Sequence, residues 1–299
     1  MGVSRFLCIA IVLPAALGHP ADAASLRTES DLVLVPVTVT DRTGAAVLGL
    51  ARNLFRVQDE GEPRAIVSFE REPAPASIVL VVDLSASMRS KVGPAREALR
   101  RILALSNPQD EAALFTFGDR PQLRRGFTRD MEQLVQSLDG AQPAGQTALI
   151  DGVWRGLETA RQGRHSRRAL IVISDGGDNY SRHRESELVD FAVEADTQTY
   201  SVLVHSRSFS MEERSGSELL ERLARETGGL HFEVRNVKEL PEAAEKIGDA
   251  LRNLYVIGFK PAKGACRKGR HRIRVSLDNA AGRNLRISAR TAYTSSQSQ

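Results

Sequence analysis

Five small oxygen-bearing side chains stand where the sequence predicts that buried strands end or a helix begins. They are Asp83, Ser85, Ser87, Thr147 and Asp175. Two of the predicted strands are the continuous apolar runs at residues 78–82 and 169–173, which lead directly into the two aspartate-containing segments. The carboxyl ends of parallel strands share one edge of a sheet, where ligand sites form, so we expect the five side chains to meet there.

The chemistry of this set is that of a divalent-cation site. Two carboxylates and three hydroxyls are hard oxygen donors, and the set contains no imidazole or thiolate. Such donors suit Mg²⁺, Mn²⁺ or Ca²⁺, and not zinc or copper. Neutral hydroxyls add no negative charge to balance the ion, so an open coordination position could accept a carboxylate from another molecule. We therefore predict a Mg²⁺ site, with Mn²⁺ or Ca²⁺ as alternatives.

Three further polar residues lie near the predicted site. Asp178 and Asn179 follow Asp175 closely and could join its rim, although a solvated turn explains them equally well. Asp151 lies one turn into the helix after Thr147 and could accept a hydrogen bond from a metal ligand. The alternative for Asp151 is an exposed position on that helix.

Other interpretations of the same residues stay open. Ser85 or Ser87 could cap a helix expected near residue 90, because serine oxygens accept hydrogen bonds from the first amides of helices. An aspartate at a strand end beside Mg²⁺ can also attack phosphorus, which makes a metal-dependent hydrolase or phosphotransferase an alternative. However, aspartate-nucleophile phosphatases have a second aspartate where this sequence has Ser85, and the sequence contains no HExxH, GxSxG or P-loop motif.

The elements around these residues alternate between strand and helix. Strands are predicted at residues 78–82, 112–117, 169–173, 199–204 and 231–234. Helices are predicted at residues 92–105, 131–138, 149–160, 188–195, 219–227 and 240–254. This alternation predicts an α/β fold, a doubly wound and mainly parallel sheet with helices on both faces.

Short strands separated by turn sequences flank the α/β region on both sides. They are predicted at residues 31–39, 54–58 and 64–69, and again at 255–259, 271–277 and 285–293. We predict that the two flanks pack together into one small β domain. The predicted division is a signal peptide at 1–23, an N-terminal β segment at 24–75, the α/β domain at 76–254 and a C-terminal β segment at 255–299.

Residues 1–23 have the order of a secretory signal peptide. Arg5 gives a positive start, residues 6–18 are apolar, and Ala21-Asp22-Ala23 resembles an A-x-A cleavage site. The apolar run is short for a membrane span, which needs about 20 residues. We expect export to the periplasm or beyond, and an uncleaved interfacial anchor is the alternative. Cleavage would also remove Cys8 and leave Cys266 without an internal disulfide partner.

Composition indicates a globular protein and gives little support for binding to nucleic acid. Apolar residues make up 41% and charged residues 26%, which excludes a disordered or coiled-coil chain. The net charge is only +4 and aromatic residues make up 5%, so nucleic acid is not an expected partner. Basic clusters at residues 260–274 and 161–168 are expected to be solvated faces, with weak contact to an anionic envelope surface as the alternative.

Taken in order, the five oxygen-bearing residues resemble the metal-ion-dependent adhesion site (MIDAS) of von Willebrand factor type A (VWA) domains. The motif reads Asp83-x-Ser85-x-Ser87, then Thr147, then Asp175-Gly176. The resemblance covers about residues 76–254. It implies that the three hydroxyls coordinate the ion directly and that the two aspartates act partly through water. It also implies that an Asp or Glu of a partner protein completes the coordination.

The flanking segments resemble bacterial VWFA-related exported proteins of the acidobacterial type. Gly49-Leu50, Phe55 and Asp59-Glu60-Gly61 carry this narrower resemblance, with the C-terminal sequences YVIGFKP and RTAY. The resemblance implies a fold and not an activity. The function predicted from the sequence is an exported, metal-dependent protein-binding module of the adhesion type, and not an enzyme. The alternatives are the hydrolase or phosphotransferase and a structural envelope protein with a vestigial metal site.

Overall fold

A computed structural model describes most of the chain after residue 31. The described residues are 32–71, 74–205, 210–261, 269–278 and 284–295. The predicted signal peptide, both cysteines and part of the basic cluster at 260–274 lie outside the described residues. Within the described ranges, no helix is both long and apolar enough to cross a membrane.

The described residues form fourteen strands and six α-helices. The strands, numbered along the chain, are β1 (Val33–Thr40), β2 (Phe55–Asp59), β3 (Glu62–Arg64), β4 (Ile66–Glu70), β5 (Ala76–Asp83), β6 (Glu111–Phe117), β7 (Pro121–Thr128), β8 (Arg167–Ser174), β9 (Gln198–Val204), β10 (His231–Val234), β11 (Tyr255–Phe259), β12 (Gly269–Leu277), β13 (Arg286–Ala289) and β14 (Ala292–Ser295). The α-helices are α1 (Val92–Ala104), α2 (Met131–Gln136), α3 (Leu149–Ala160), α4 (Glu185–Glu194), α5 (Met211–Thr227) and α6 (Leu240–Arg252). Short 3-10 helices lie at Arg52–Leu54, Ala86–Met88 and Val237–Glu239.

A six-stranded sheet lies at the centre of the fold, in the order β10-β9-β8-β5-β6-β7. All neighbouring strands are parallel except β7, which pairs antiparallel with β6 at the edge. The predicted α/β class, with a mainly parallel sheet between helices, is therefore confirmed. The sequence did not predict β7, because its residues are mostly exposed and polar and show no apolar face.

Both faces of this sheet are buried, which explains the continuous apolar runs. Ile78, Leu80 and Val82 of β5 pack in one core with residues of α1, α2 and α6. Val79 and Val81 point to the opposite face and pack with residues of α3, α4 and α5. Successive side chains on a strand alternate between faces, so a strand covered on both sides needs apolar residues at every position.

The two flanks of the chain form the remaining two sheets together. One sheet has the order β13-β1-β11-β4 and the other has the order β14-β12-β2-β3, so each contains strands from both flanks. Val37 of β1, for example, pairs with Tyr255 of β11 and with Ala289 of β13. The two sheets share one apolar core, to which Phe55 and Ile257 both contribute. The domain boundaries at residues 76 and 254 stay a prediction.

Several predicted elements differ from the structure in their bounds, two of them substantially. The single strand expected at residues 285–293 is two strands, because β13 pairs with β1 whereas β14 pairs with β12 in the other sheet. Helix α5 begins at Met211 and not at residue 219. Its polar first turns are stabilised by a capping box in which Ser210 Oγ accepts from the Glu213 amide and Glu213 Oε2 accepts from the Ser210 amide.

Candidate metal centre

The structure brings the five predicted ligands to one edge of the central sheet. Strands β5 and β8 are parallel neighbours, so Asp83 at the end of β5 and Asp175 just after β8 lie at the same edge. The segment that contains Thr147 is tied to the turn after β5 by two backbone hydrogen bonds. The Ala144 amide donates to the Leu84 carbonyl at 2.9 Å, and the Ala86 amide donates to the Gly145 carbonyl at 3.3 Å.

Asp83 is the most deeply buried member of the set, with no exposed surface. Its Oδ1 accepts a hydrogen bond from the Ser85 amide at 2.7 Å, and its Oδ2 accepts one from the Ser174 hydroxyl at 2.6 Å. Burial, followed by the negative charge of Asp175, raises the pKa of Asp83 to about 6. The two carboxylates therefore repel one another in surroundings that solvate them poorly.

The two serines do not cap a helix with their side chains. Ser85 occupies the N-cap position of the short 3-10 helix but makes no side-chain capping hydrogen bond, and α1 begins only after Lys91. Instead, Ser85 Oγ lies 3.0 Å from Ser87 Oγ. Ser85 is 1% exposed and Ser87 is exposed, so the pair leads from the buried Asp83 towards solvent.

Thr147 is held at the edge by its backbone, and its hydroxyl has no hydrogen bond among the described residues. Its amide donates to Asn179 Oδ1 at 3.0 Å, and its carbonyl accepts from the Asn179 amide at 3.0 Å and from the Tyr180 amide at 3.2 Å. A side chain placed on Gly177, two residues after Asp175, would lie 4.0 Å from Thr147 Oγ1. The hydroxyl therefore faces the segment that follows β8. Asn179 therefore positions Thr147. The sequence predicted only that Asn179 lies at the rim of the site or in a solvated turn.

The described hydrogen bonds of Asp178 and Asp151 go to the start of α3 and to the loop after β8, and none goes to the five ligands. Asp178 Oδ1 accepts from the Ile150 amide at 3.3 Å and from the Ser181 hydroxyl at 2.5 Å, and burial raises its pKa. Asp151 accepts from the amides of Arg182 and His183 and from His183 Nδ1 at 2.7 Å. Burial alone would raise the pKa of Asp151, but these hydrogen bonds outweigh it and lower the pKa.

A buried lysine that the sequence did not indicate contacts the predicted ligand Asp175. Lys91 Nζ lies 2.9 Å from Asp175 Oδ2 and donates to the Val204 carbonyl at 3.2 Å. Only 8% of the Lys91 side chain and 2% of the Asp175 side chain are exposed. No motif spacing signals this contact, because 84 residues separate the two partners.

Ser174 is a second residue whose role the sequence did not indicate. Its hydroxyl donates to Asp83, and its oxygen also accepts from the Gly176 amide at 3.0 Å. Gly176 has a φ of +90°, a backbone conformation that favours glycine, and its carbonyl lies against Gly216 of α5 so closely that a Cβ on Gly216 would overlap it. The segment that carries Asp175 is thus fixed both by β5 and by α5.

The donor set fits a hard divalent cation. Of the two buried carboxylates, Asp175 contacts the buried ammonium of Lys91, whereas Asp83 forms no ion pair within the described part of the chain, so one negative charge there lacks a cationic partner. Buried charges are normally compensated, and a divalent ion beside three hydroxyls would compensate this one. Within the described ranges, no three His, Cys, Asp or Glu side chains form a group that could hold a metal ion. The candidate metal centre does not need such a group, because three of its five donors are hydroxyls. The ion would supply positive charge and an open coordination position.

A cleft of about 430 Å³ lies beside the candidate metal centre. Its lining includes Leu84, Gly118, Asp119, Arg120, Arg124 and Tyr180. Arg124 Nε donates to Thr116 Oγ1 at 3.0 Å, which holds its guanidinium in place. Within the described ranges, neither Arg120 nor Arg124 forms an ion pair with a carboxylate.

The arginine cluster predicted at residues 161–168 is solvated only in part. Arg161 and Arg164 are exposed, and Arg164 Nε lies 2.7 Å from Glu111 Oε2. Arg167 differs from the predicted solvated face, because it is buried and donates to the Leu251 carbonyl. In the second cluster, Arg270 Nη1 lies 3.1 Å from Asp190 Oδ1.

Comparison with known proteins supports the type of domain. A family model described as "von Willebrand factor type A domain" matches residues 78–177. The solved von Willebrand factor type A protein from Catenulispora acidiphila is 10% identical, covers 77% of this chain and 73% of its own, and has a TM-score of 0.53. Proximal thread matrix protein 1 from the mussel byssus is 18% identical, covers 71% of this chain and 51% of its own, and has a TM-score of 0.50.

A third solved structure, BatB from Bacteroides thetaiotaomicron, is 15% identical and covers 58% of this chain and 98% of its own, with a TM-score of 0.45. The search of curated proteins gave no match. At these identities the structural likeness concerns the fold alone. From the match over residues 78–177, together with the central sheet and its helices, we conclude that the chain contains a von Willebrand factor type A domain.

Proposed function

We propose that this chain is an exported, metal-dependent protein-binding module. VWA domains often mediate adhesion or protein–protein interaction. In the proposal, Mg²⁺, or Mn²⁺ or Ca²⁺ in its place, is held at the candidate metal centre. The residues that hold it are Asp83, Ser85, Ser87, Thr147 and Asp175. An Asp or Glu carboxylate of a partner protein then takes the open position.

One observation carries this proposal. Two buried carboxylates and three hydroxyls meet at a single edge of the sheet, and the buried ammonium of Lys91 balances only one of the two negative charges. Polar residues fixed in this way are costly to bury, which supports a ligand-binding role over a purely structural one. The exposed Ser87 leaves the centre open to a second molecule.

The surroundings of the centre favour an acidic partner. Arg120 and Arg124 line the adjacent cleft, and neither is paired with a carboxylate within the described ranges. Asp119 in the same cleft accepts from the Gln146 amide at 2.5 Å. Complementary charge speeds the encounter and fixes the orientation of partners more than it raises affinity. We expect the partner segment to carry acidic residues next to the one that binds the ion.

A calorimetric titration with Mg²⁺ and Mn²⁺ tests the metal centre. We expect one ion per chain in the wild-type protein and a loss of at least about tenfold in affinity for Asp83→Ala and for Thr147→Val. Thr147→Val preserves side-chain shape and removes only the hydroxyl. Asp139→Ala is the matched control, because Asp139 is exposed and its side chain pairs with Arg96 at the surface. Equal ion binding in all four proteins would refute the proposed centre.

Capture of a partner tests the interaction. Tagged protein is incubated with a detergent extract of the source organism's envelope in Mg²⁺, in EDTA, and as the Asp83→Ala variant. The expected result is one set of cross-linked proteins that is retained in Mg²⁺ and lost in the other two conditions. The same proteins retained in all three conditions would show that the interaction does not use the ion.

Export is part of the proposal and rests on the signal-peptide pattern of residues 1–23. We expect the mature protein, isolated from the periplasm or the medium, to begin near Ala24. Mass spectrometry of its N-terminal peptide is the measurement. An intact Met1 on cytoplasmic protein would refute this part without affecting the metal centre.

A further inference from the structure

Lys91 is a charged residue that folding places at the candidate metal centre at a cost. It is 6% exposed, and lysine is rarely buried so deeply unless it is paired. Its ammonium contacts Asp175 Oδ2 at 2.9 Å and the Val204 carbonyl at 3.2 Å. The described contacts of the ammonium are therefore with one predicted metal ligand and with the end of β9.

The position of Val204 shows from which side Lys91 approaches Asp175. In the central sheet, β8 lies between β5 and β9. Val204 ends β9, whereas Ser85 and Ser87 follow β5. Because the ammonium contacts both Asp175 and Val204, it lies on the β9 side of Asp175. The hydroxyls of Ser85 and Ser87 lie on the β5 side, so the ammonium and these two hydroxyls lie on different sides of Asp175.

The charges of these groups determine what a loaded centre attracts. Asp83, Asp175 and Lys91 together carry one negative charge, so a bound divalent ion gives the centre a net charge of plus one. Without Lys91 the same loaded centre would be neutral. Charges interact strongly where water is largely excluded, so one unit of charge at this position has a large effect.

We propose that Lys91 sets the charge of the metal centre: it weakens the binding of the divalent ion and keeps the loaded centre positive, so that an anionic ligand group binds in preference to a neutral one. This inference rests on the proposed function, because it concerns the same centre. Lys91 also holds Asp175 Oδ2 and thereby restrains the orientation of that carboxylate. It acts through Asp175 and through its charge, and is a positioning residue and not an ion ligand.

Two uncharged variants and one charged variant test this role. Lys91→Met keeps most of the side-chain length and removes the charge. Lys91→Gln removes the charge but keeps an amide that can donate hydrogen bonds to Asp175. Lys91→Arg keeps the charge and is the control. Each protein is titrated with Mn²⁺ by calorimetry, and the Mn²⁺-saturated protein is then titrated with acetate while water-proton relaxation is followed.

The expected signature is a pair of opposite shifts. Both uncharged variants should bind Mn²⁺ at least about tenfold more tightly, and their Mn²⁺ complexes should bind acetate at least about tenfold more weakly. Lys91→Arg should stay within about threefold of the wild type in both titrations. If Lys91 only shaped the site, its replacement would weaken Mn²⁺ binding and acetate binding together. Weaker binding of both in the uncharged variants would therefore overturn the inference. Unchanged affinities would also overturn it.

The metal-free proteins provide a readout that needs no ligand. In EDTA, Lys91→Met leaves Asp175 buried without its partner, so its melting temperature should fall below that of the wild type. Mn²⁺ should raise the melting temperature of this variant more than that of the wild type, since the ion replaces the missing positive charge. If neither uncharged variant folds in saturating Mn²⁺ while Lys91→Arg does, the inference is contradicted.

The outcomes separate this inference from the proposed function. If the wild-type protein binds no Mn²⁺, the proposed function fails and the inference fails with it. If the wild type binds Mn²⁺ and acetate but the variants show no opposite shifts, the metal centre stands and only the role of Lys91 is refuted.

Discussion

Replacing Asp83 with asparagine should stabilise the metal-free protein at neutral pH. Asp83 is completely buried, and its pKa is raised from 3.8 to about 6, mainly by burial and then by Asp175. A carboxyl with a raised pKa favours the folded state while it is protonated. That stability is fully present below about pH 4 and is lost as the pH rises through about 6. At 1.36 kcal/mol per pKa unit, the loss is about 3 kcal/mol at pH 7.

The Asp83→Asn variant removes this loss with little change in contacts. Its carbonyl oxygen can accept from the Ser85 amide as Asp83 Oδ1 does, and its amide can donate to Ser174 Oγ. Unfolding in urea, with EDTA present, should therefore give nearly equal stabilities for variant and wild type at pH 4. The variant should become more stable by up to about 3 kcal/mol between pH 4 and 7.

The quantity to measure is the difference between the two proteins in free energy of unfolding. Other groups titrate in the same pH range, but they contribute equally to both proteins and cancel in this difference. With saturating Mg²⁺ at pH 7 the order should reverse, since the ion stabilises only the protein that binds it. Two results in EDTA would refute the reasoning. One is a difference in stability between variant and wild type that does not change with pH. The other is a difference that favours the wild type more at pH 7 than at pH 4.

Three further predictions concern the framework of the central sheet and its helices. Gly216→Ala should lower the stability by more than about 2 kcal/mol and weaken Mn²⁺ binding, because its Cβ would displace the segment that carries Asp175. Gly93→Ala is its control: the space there is open, and alanine should stabilise α1 by up to about 1 kcal/mol. Ser210→Ala should cost about 1 kcal/mol through the lost cap of α5, without a change in Mn²⁺ affinity. Arg252→Met should cost about 3–5 kcal/mol in urea unfolding, because it leaves Asp110 buried without its partner at 2.8 Å; a loss below 1 kcal/mol would contradict the ion pair's role.

Local pattern predicted the central fold because burial on two faces leaves a strong signal. The runs at 78–82 and 169–173 are apolar throughout, and both are central strands. Edge elements leave a weaker signal. Strand β7 is mostly exposed and carries no apolar stripe, so its pairing with β6 is not visible in the sequence.

Helix α5 shows a different limit of prediction from local sequence. Its start is marked by the Ser210 and Glu213 capping pair, a signal that is present in the sequence but lies in a polar stretch without apolar periodicity. The division of residues 285–293 into β13 and β14 depends on partners far away in the chain, which no local pattern specifies.

At the candidate metal centre, the sequence identified the residues that end strands or begin helices but not those that hold them. Asp83, Thr147 and Asp175 could be placed at one edge because a parallel sheet aligns its strand ends. The contacts of Lys91 and Asn179 depend on how loops fold over that edge, and each partner lies far away in the sequence. Whether the five residues hold an ion stays a prediction.

The pairing of the two flanks has a consequence for the order of folding. Strand β1 is synthesised before the central sheet, yet its partners β11 and β13 are made after it. Until then both edges of β1 lack their strands, and exposed strand edges invite pairing with other chains. The central domain can form from contacts within its own continuous stretch, whereas the flanking sheets need contacts that span it. The flanking sheets should therefore close last, and the interval before closure is the period in which this protein is most exposed to misassembly.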